Sequence, residues 1–218
     1  ALAPMRGCAQ NNPHHAYDVW THTLIALENA PADPVYRLTM LFHDSGKPAA
    51  HTVGEDGYDH FMRHPAISRD IAEAALLAMK SDRATMNRVL ALITEHDLRI
   101  PAEPKSVRRQ MARIGSDLFE ALFPVFRADL LAQNPAMIPE KLRAEEALER
   151  VFREEVARNV CVKISDLAVN GRDLMALGIT GPDVGRTLKT LLDKVVSEEL
   201  PNEREALLAA CQTRRPDA

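Results

Sequence analysis

Cysteine is scarce. Cys8, Cys161 and Cys211 are the only three in 218 residues, odd in number and far apart, which excludes a disulfide framework and a zinc knuckle and points to a reducing, cytoplasmic setting. Long apolar runs are absent too. No stretch approaches the roughly 18 residues of a membrane span, and the N-terminus has no basic region followed by an apolar one, so no secretory signal is visible. A basic excess is also lacking: the net charge of −4 excludes polyanion binding by bulk charge alone. There are no internal repeats or low-complexity tracts. The chain opens on Ala1 rather than methionine, which reads as trimming or as a piece of something longer. Histidine is missing from everything beyond residue 96, since all eight (14, 15, 22, 43, 51, 60, 64 and 96) precede it. Imidazole chemistry therefore belongs to the N-terminal portion.

With 46% hydrophobic and 27% charged residues, the chain has the balance of a globular protein with a real core. Its length suits one mid-sized domain, or one domain with a small appendage. The apolar pattern is helical almost throughout. Trp20, Leu24 and Leu27 follow the i, i+4, i+7 spacing of a helix over roughly 14–30. Asp33-Pro34 starts a second helix reaching about His43, where a left-handed Gly46 is expected to end it. Residues 49–62, with a Gly-Glu-Asp-Gly turn, read as a small hairpin or ordered loop. Further helices are expected over about 65–80 (Ile67, Ile71, Ala74 and Leu77 or Ala78 inward), 82–96, 105–114, 116–133 with Pro124 inside, and 138–158. From about Asn159 the texture changes to short helices with Gly, Pro and Asn joints, and Asn202 with Glu205 resembles a capping box. The expected domains are 1–160 and 161–218.

Ligand-type residues recur at helix ends and on inner faces: His22, His43, Asp44, His64, His96 and Asp129. Each alone has a plain explanation, such as a hydrogen-bonded core histidine, a helix C-terminal pair, or Asp129 pairing with Arg127. Together they suit a divalent first-row metal, with no thiolate nearby to indicate a structural zinc. Adjacent His43 and Asp44 can share one cation only where regular helix ends, because neighbouring helical side chains diverge by about 100°. Between Arg99 and Arg113, Arg99, Lys105, Arg108, Arg109 and Arg113 face a single acid, Glu103. That run is either a solvated helix face or a phosphate-facing rim.

The order His22, His43-Asp44, Asp129, with "FHDSGKP" around the pair, resembles the HD-domain metal-dependent phosphohydrolases. The resemblance implies an all-α helical bundle, here with a small hairpin insertion and a small helical C-terminal appendage. It implies that His22, His43, Asp44 and Asp129 hold one divalent metal, that His64 and His96 help hold a second, and that Asp44 bridges both. A narrower likeness lies in "QNNPHHAYDVWTHTL", "DGYDHFMRHPAIS", "ITEHD" and "NGRDLMALGITGPDVGRTLKTLLDKVVSEELPNEREALL". These are similar to the HD domain and tail of bacterial CCA-adding tRNA nucleotidyltransferases, in which a catalytic head comes first and the tail helps hold tRNA. The present residues contain no Gly-Ser or Gly-Gly turn followed by an Asp-x-Asp pair, so CCA addition itself is not expected of them.

The main function expected is the first of two, and the second is its alternative. One is a phosphohydrolase acting on nucleotides, 2′,3′-cyclic nucleotides or RNA ends with one or two divalent ions (Mn, Ni, Fe, Co or Mg). In it Asp44 and Lys47 would be catalytic, and Lys47, Arg99, Arg108 and Arg109 would bind the phosphate-bearing substrate through a metal-activated hydroxide mechanism. The other is a tRNA-binding portion of a nucleotidyltransferase whose HD site is auxiliary or vestigial. In "GITGPDVG", Gly178 and Gly181 precede a helix starting near Pro182 or Asp183. That start is a phosphate seat or a joint that only packs, with Arg186 and Lys189 just beyond. Nothing in the residues sets the oligomeric state, and no membrane partner is expected.

Overall fold

The computed structural model describes residues 1–212; residues 213–218 of the expected tail lie outside the described part. The fold is all-α apart from one small ribbon. In chain order the helices are α1 (Val19–Asn29), α2 (Pro34–Phe42), α3 (Lys47–Ala50), α4 (His64–Ala78), α5 (Arg83–Glu95), α6 (Pro104–Ile114), α7 (Ser116–Leu131), α8 (Ile138–Ala157), α9 (Gly171–Ala176), α10 (Pro182–Val196) and α11 (Arg204–Gln212). Strands β1 (Thr52–Val53) and β2 (Asp59–His60) form the expected hairpin, antiparallel with Thr52 opposite His60. No described helix is long and apolar enough to cross a membrane, and the three cysteines are free thiols.

The chain forms two compact units. One comprises Ala1–Arg99 with Asp117–Ala147, the other Ile100–Ser116 with Leu148–Ala218. The change of texture near residue 160 thus falls inside the second unit, which also takes in α6. In the first unit, Phe42 of α2, Ala72 and Leu76 of α4, and Val89, Leu90 and Ile93 of α5 form a buried cluster. In the second, Leu167, Val169, Leu174, Leu191, Leu192, Val196 and Leu207 do the same around α10.

Local chemistry sets the boundaries. Asp18 caps α1, its carboxylate accepting from the Thr21 amide at 2.8 Å, so the helix starts at Val19 and residues 14–18 stay outside it. Asp33 caps α2 through the Val35 amide, with Pro34 at the first helical position, and Asp82 caps α5 through Thr85. Pro124 lies inside an unbroken α7. The expected inner face of α4 is off by about one residue. His64, Ser68, Ala72 and Leu76 are its buried stripe, while Leu77 is 60% exposed. Reading the bulkiest apolar residues as the inner face misses it, because this face carries a histidine and a serine toward the site. Asn202 does not cap α11 as expected. It accepts from the Ala168 amide and donates to the Asp166 carbonyl, tying down the preceding loop. A capping box with asparagine as cap forms instead at the start of α9, Asn170 with Asp173.

The turn after α2 departs from expectation in its cause. Gly46 is right-handed (φ −83°) rather than left-handed, and the chain continues through two i to i+3 turns into α3. Glycine is needed there for proximity. A Cβ at 46 would stand 2.5 Å from the His64 carbonyl oxygen, 2.6 Å from the Ser68 nitrogen and 2.8 Å from the Ile67 Cβ, and the Gly46 amide donates to the Ser68 hydroxyl at 2.8 Å. Backbone packs on backbone, which brings the His43-Asp44 turn against the start of α4. Gly46→Ala is therefore expected to destabilise the fold by about 2–3 kcal/mol, the usual scale of core overpacking. Chemical denaturation measures it, and an unchanged midpoint would contradict the close approach.

Candidate metal centre

Five elements of the first unit deliver the cluster. His22 projects from α1, His43 and Asp44 from the turn after α2, His64 from the first position of α4, His96 from the residue after α5, and Asp129 from α7. His22, His43 and Asp44 are at most 1% exposed. His64 follows Arg63, a non-glycine residue held at φ 64°, a backbone state that persists only where its surroundings impose it.

The geometry sorts these six residues into two groups that share Asp44. His22, His43, Asp44 and Asp129 present ligand atoms within 4.8 Å of one another, and so do Asp44, His64 and His96. Asp44 divides its oxygens between them. Oδ2 stands 3.3 Å from His22 Nε2 and 3.2 Å from His43 Nε2, whereas Oδ1 stands 3.3 Å from His64 Nε2 and 3.7 Å from His96 Nε2. Asp129 Oδ1 lies 2.9 Å from His22 Nε2 and 3.4 Å from His43 Nε2. Its neighbour Arg127 is taken up by Glu145 at 2.6 Å, which leaves Asp129 to the histidines.

The tautomers follow from the outer hydrogen bonds. Nδ1 of His22 faces the Ala132 carbonyl at 3.0 Å, that of His43 the Met40 carbonyl at 2.7 Å, that of His64 the Phe61 carbonyl at 2.8 Å, and that of His96 the Ile93 carbonyl at 2.7 Å. A carbonyl only accepts, so each Nδ1 carries a proton and each ring turns its Nε2 inward. Those Nε2 atoms meet in couples, His22 against His43 at 3.2 Å and His64 against His96 at 3.1 Å. Opposed lone pairs repel unless a positive charge lies between them.

Electrostatics push the same way. Burial alone would raise Asp44, but the charges of His43 and Lys47 hold its carboxyl well below the usual range. Burial would likewise raise Asp129, and its hydrogen bonds to His22 and His43 hold it well below. Burial opposes charge on His43, yet Asp44 and Asp129 outweigh it and carry this imidazole up to about 10. Burial is the main cause lowering His96. The buried Asp44 carboxylate and the partly exposed Asp129 thus face one buried ammonium and four inward-turned Nε2 atoms. This donor set fits one or two divalent cations of the imidazole and carboxylate type.

Lys47 is enclosed rather than solvent-exposed. It is buried, with Nζ 2.8 Å from Asp44 Oδ2 and 2.6 Å from Gln10 Oε1. Arg99 is exposed just beyond His96. Arg108 and Arg109 belong to α6 of the second unit, where Arg108 pairs with Glu155 at 3.4 Å and Glu198 at 2.8 Å, and Arg109 donates to the Ser197 hydroxyl at 3.2 Å. His51 and His60 make local pairs with Asp59 and Asp56.

Sequence reasoning passed over Gln10 and Gln133. Gln133 Nε2 donates to Asp129 Oδ2 at 2.7 Å, and Lys141 donates in turn to Gln133 Oε1. Neither glutamine carries a sequence signal, because an amide in a polar loop looks the same whether or not it supports a site. His15 carries no sequence signal for a role either, and its ring lies 5.2 Å from that of His22. Burial, then the nearby charges of Lys47 and His22, lower its pKa to about 3.

Comparison with known proteins places this architecture. The family model for tRNA nucleotidyltransferase domain 2 matches residues 66–211. The CC-adding tRNA nucleotidyltransferase of Thermus thermophilus is 34% identical over 213 residues, covering 94% of this chain and 47% of the relative. The A-adding tRNA nucleotidyltransferase of Deinococcus radiodurans is 29% identical over 211 residues, covering 92% and 48%. A CCA-adding enzyme of Latilactobacillus sakei is 44% identical over 66 residues, 30% of this chain and 15% of the relative. No solved structure gives a significant match. The chain spans about half the length of the first two relatives. On the family model and these relatives together, the chain belongs to the tRNA nucleotidyltransferase family.

Proposed function

We propose that the chain serves as the HD-and-tail portion of a tRNA nucleotidyltransferase and binds tRNA, with an HD portion ending near residue 160 and a tail after it. One observation carries this reading: similarity to a CC-adding tRNA nucleotidyltransferase runs over 94% of the chain, through both compact units. The helix start at Gly181 and Pro182 contributes little to it, because Arg186 is already paired with Asp183 there. A freestanding hydrolase is less well supported than this reading.

A second activity within the same chain is favoured by the opposed Nε2 couples. We infer a metal-dependent phosphohydrolase centre at His22, His43, Asp44 and Asp129 on one side, and Asp44, His64 and His96 on the other. Divalent ions bound there, of manganese, nickel, iron, cobalt or magnesium, supply a water of lowered pKa and Lewis acidity toward a phosphoryl oxygen. The chain's own groups do the rest. The backbone carbonyls fix the imidazoles, Asp44 joins the two sides, and Lys47 offsets part of the Asp44 charge while Gln10 holds the lysine in place. Substrates of this centre would be phosphomonoesters, 2′,3′-cyclic nucleotides or RNA ends.

The tRNA reading predicts a gel shift of tRNA that persists at moderate salt with a Kd below the 10⁻⁶ to 10⁻⁴ M range of non-specific binding; affinity no better than that range would remove it. The centre predicts two divalent ions per chain by elemental analysis, one in His64→Ala and none in Asp44→Ala. A third expectation is that EDTA abolishes hydrolysis of a generic phosphate ester, that manganese restores it, and that Asp44→Ala lowers kcat by more than about 10³-fold, the scale of losing a principal catalytic group. Undiminished hydrolysis by the Asp44→Ala protein would locate the activity elsewhere.

A further inference from the structure

We propose that Gln133 is a positioning residue for one ion of the centre: clamped by Lys141, it holds Asp129 so that a single carboxylate oxygen, Oδ1, faces the histidines. The proposal rests on the metal-centre reading above and adds what sets the grip on one ion separately from the other.

Asp129 is the ligand that most needs holding. Its side chain is 23% exposed, while those of His22, His43, Asp44, His64 and His96 range from 0% to 7%. Enclosure fixes those five, whereas water competes for Asp129 and would let it turn. Its two oxygens have separate partners. Oδ1 lies 2.9 Å from His22 Nε2 and 3.4 Å from His43 Nε2, and Oδ2 accepts from Gln133 Nε2 at 2.7 Å. A carboxylate divided in this way presents one oxygen inward.

Lys141 decides which end of the Gln133 amide does the holding. An ammonium only donates, and Lys141 Nζ donates to Gln133 Oε1, so Nε2 is the atom turned to Asp129. The opposite orientation would set acceptor against acceptor at Asp129 and donor against donor at Lys141. Gln133 and Lys141 are both half-buried, which strengthens such bonds against competition from water. The same stretch of chain serves the first group of ligands again. The Ala132 carbonyl accepts from His22 Nδ1 at 3.0 Å, and the Ala132 amide bonds back to the Asp129 carbonyl at 3.1 Å. Asn134 fastens the stretch to the N-terminal segment, through its amide to the His14 carbonyl at 2.9 Å and its side chain to the Pro13 carbonyl at 3.0 Å. Two ligands of the first group, His22 and Asp129, thus depend on neighbouring residues of one turn. His64 and His96 are fixed elsewhere, by Phe61 and Ile93, so a fault in this turn should be felt by one ion.

The test is a manganese titration of the EDTA-treated protein, with the free ion read by electron paramagnetic resonance. The parent is compared with Gln133→Met, Gln133→Ala, Asp129→Ala and the double variant Gln133→Met with Asp129→Ala. Methionine keeps the length of the side chain and removes both hydrogen bonds, and alanine provides a second variant should methionine disturb the fold. Each Gln133 variant should weaken one ion about tenfold and leave the other within about twofold, the lower end of the loss usual for a residue that orients a metal ligand. The weakened ion should be the one that Asp129→Ala weakens. In the Asp129→Ala background, Gln133→Met should change manganese affinity by less than about twofold, because the group it acts through is gone. Unchanged affinity in the Gln133 variants, a loss shared equally by both ions, or an undiminished loss in the Asp129→Ala background would overturn the proposal while leaving the metal centre in place. A parent that binds no manganese would instead remove the metal-centre reading, and the proposal with it. Rescue by the ion separates positioning from contact with the reacting atoms. Saturating manganese should bring p-nitrophenyl phosphate hydrolysis by Gln133→Met to within about twofold of the parent kcat. A kcat that stays depressed with every site filled would overturn the positioning role. A parent that binds manganese without hydrolysing the ester removes the phosphohydrolase reading alone, and the titrations then decide the role of Gln133 by themselves.

Discussion

Four hydrogen bonds from histidine Nδ1 to backbone carbonyls govern the chemistry of this fold. Each is local except that of His22, which reaches Ala132 beyond the end of α7. The other three span three residues, His43 to Met40, His64 to Phe61 and His96 to Ile93. The recurring device is a histidine at a helix end whose ring folds back on a carbonyl three positions earlier. This fixes the tautomer without a second side chain, and it aims the remaining lone pair away from the helix that carries it. Helices brought together by apolar packing of Phe42, Leu76, Val89 and Ile93 then need only the right relative placement for the lone pairs to converge.

Convergence at this density loads the unit with unfavourable terms. Carboxylates and imidazoles are withdrawn from water, and ring nitrogens oppose each other at hydrogen-bond distance. The surroundings answer only in part, through Lys47 against Asp44, Gln10 against Lys47 and Gln133 against Asp129. An arrangement so unbalanced in the protein alone makes sense as half of a complex whose other half is cationic. Pairing of Arg127 with Glu145 fits this economy, since it keeps a competing cation off Asp129.

Much of the site was legible in the sequence, because ligand chemistry has a one-letter signature. His22, His43, Asp44, His64, His96 and Asp129 stand out as polar residues where an apolar periodicity expects none, and the structure gathers all of them. The means of gathering was less legible. Gly46 invited a left-handed reading, since that is the commonest use of glycine at a helix end; its neighbours Ser68 and His64 lie some twenty residues on, beyond any local pattern. The inner face of α4 was misjudged for a related reason, as hydrophobicity ranks Leu77 above Ser68 while the structure buries the serine. Helix starts at Asp33 and Asp82 were readable because a cap acts over three residues. Asn202 resembled such a cap but bonds to Asp166 and Ala168, a tertiary choice that no three-residue motif contains.

The contact between Gly46 and the start of α4 has a consequence for how such a centre can change over evolutionary time. What positions the His43-Asp44 turn against α4 is main chain lying on main chain, with a serine hydroxyl as the clasp, and no ligand side chain takes part in that clasp. Ligands can therefore be exchanged or lost one at a time while the frame persists, whereas a single methyl group at position 46 disturbs the frame with every ligand in place. A lineage that no longer needs the chemistry can keep the scaffold for another purpose, and a lineage that needs it again can rebuild it by point substitution.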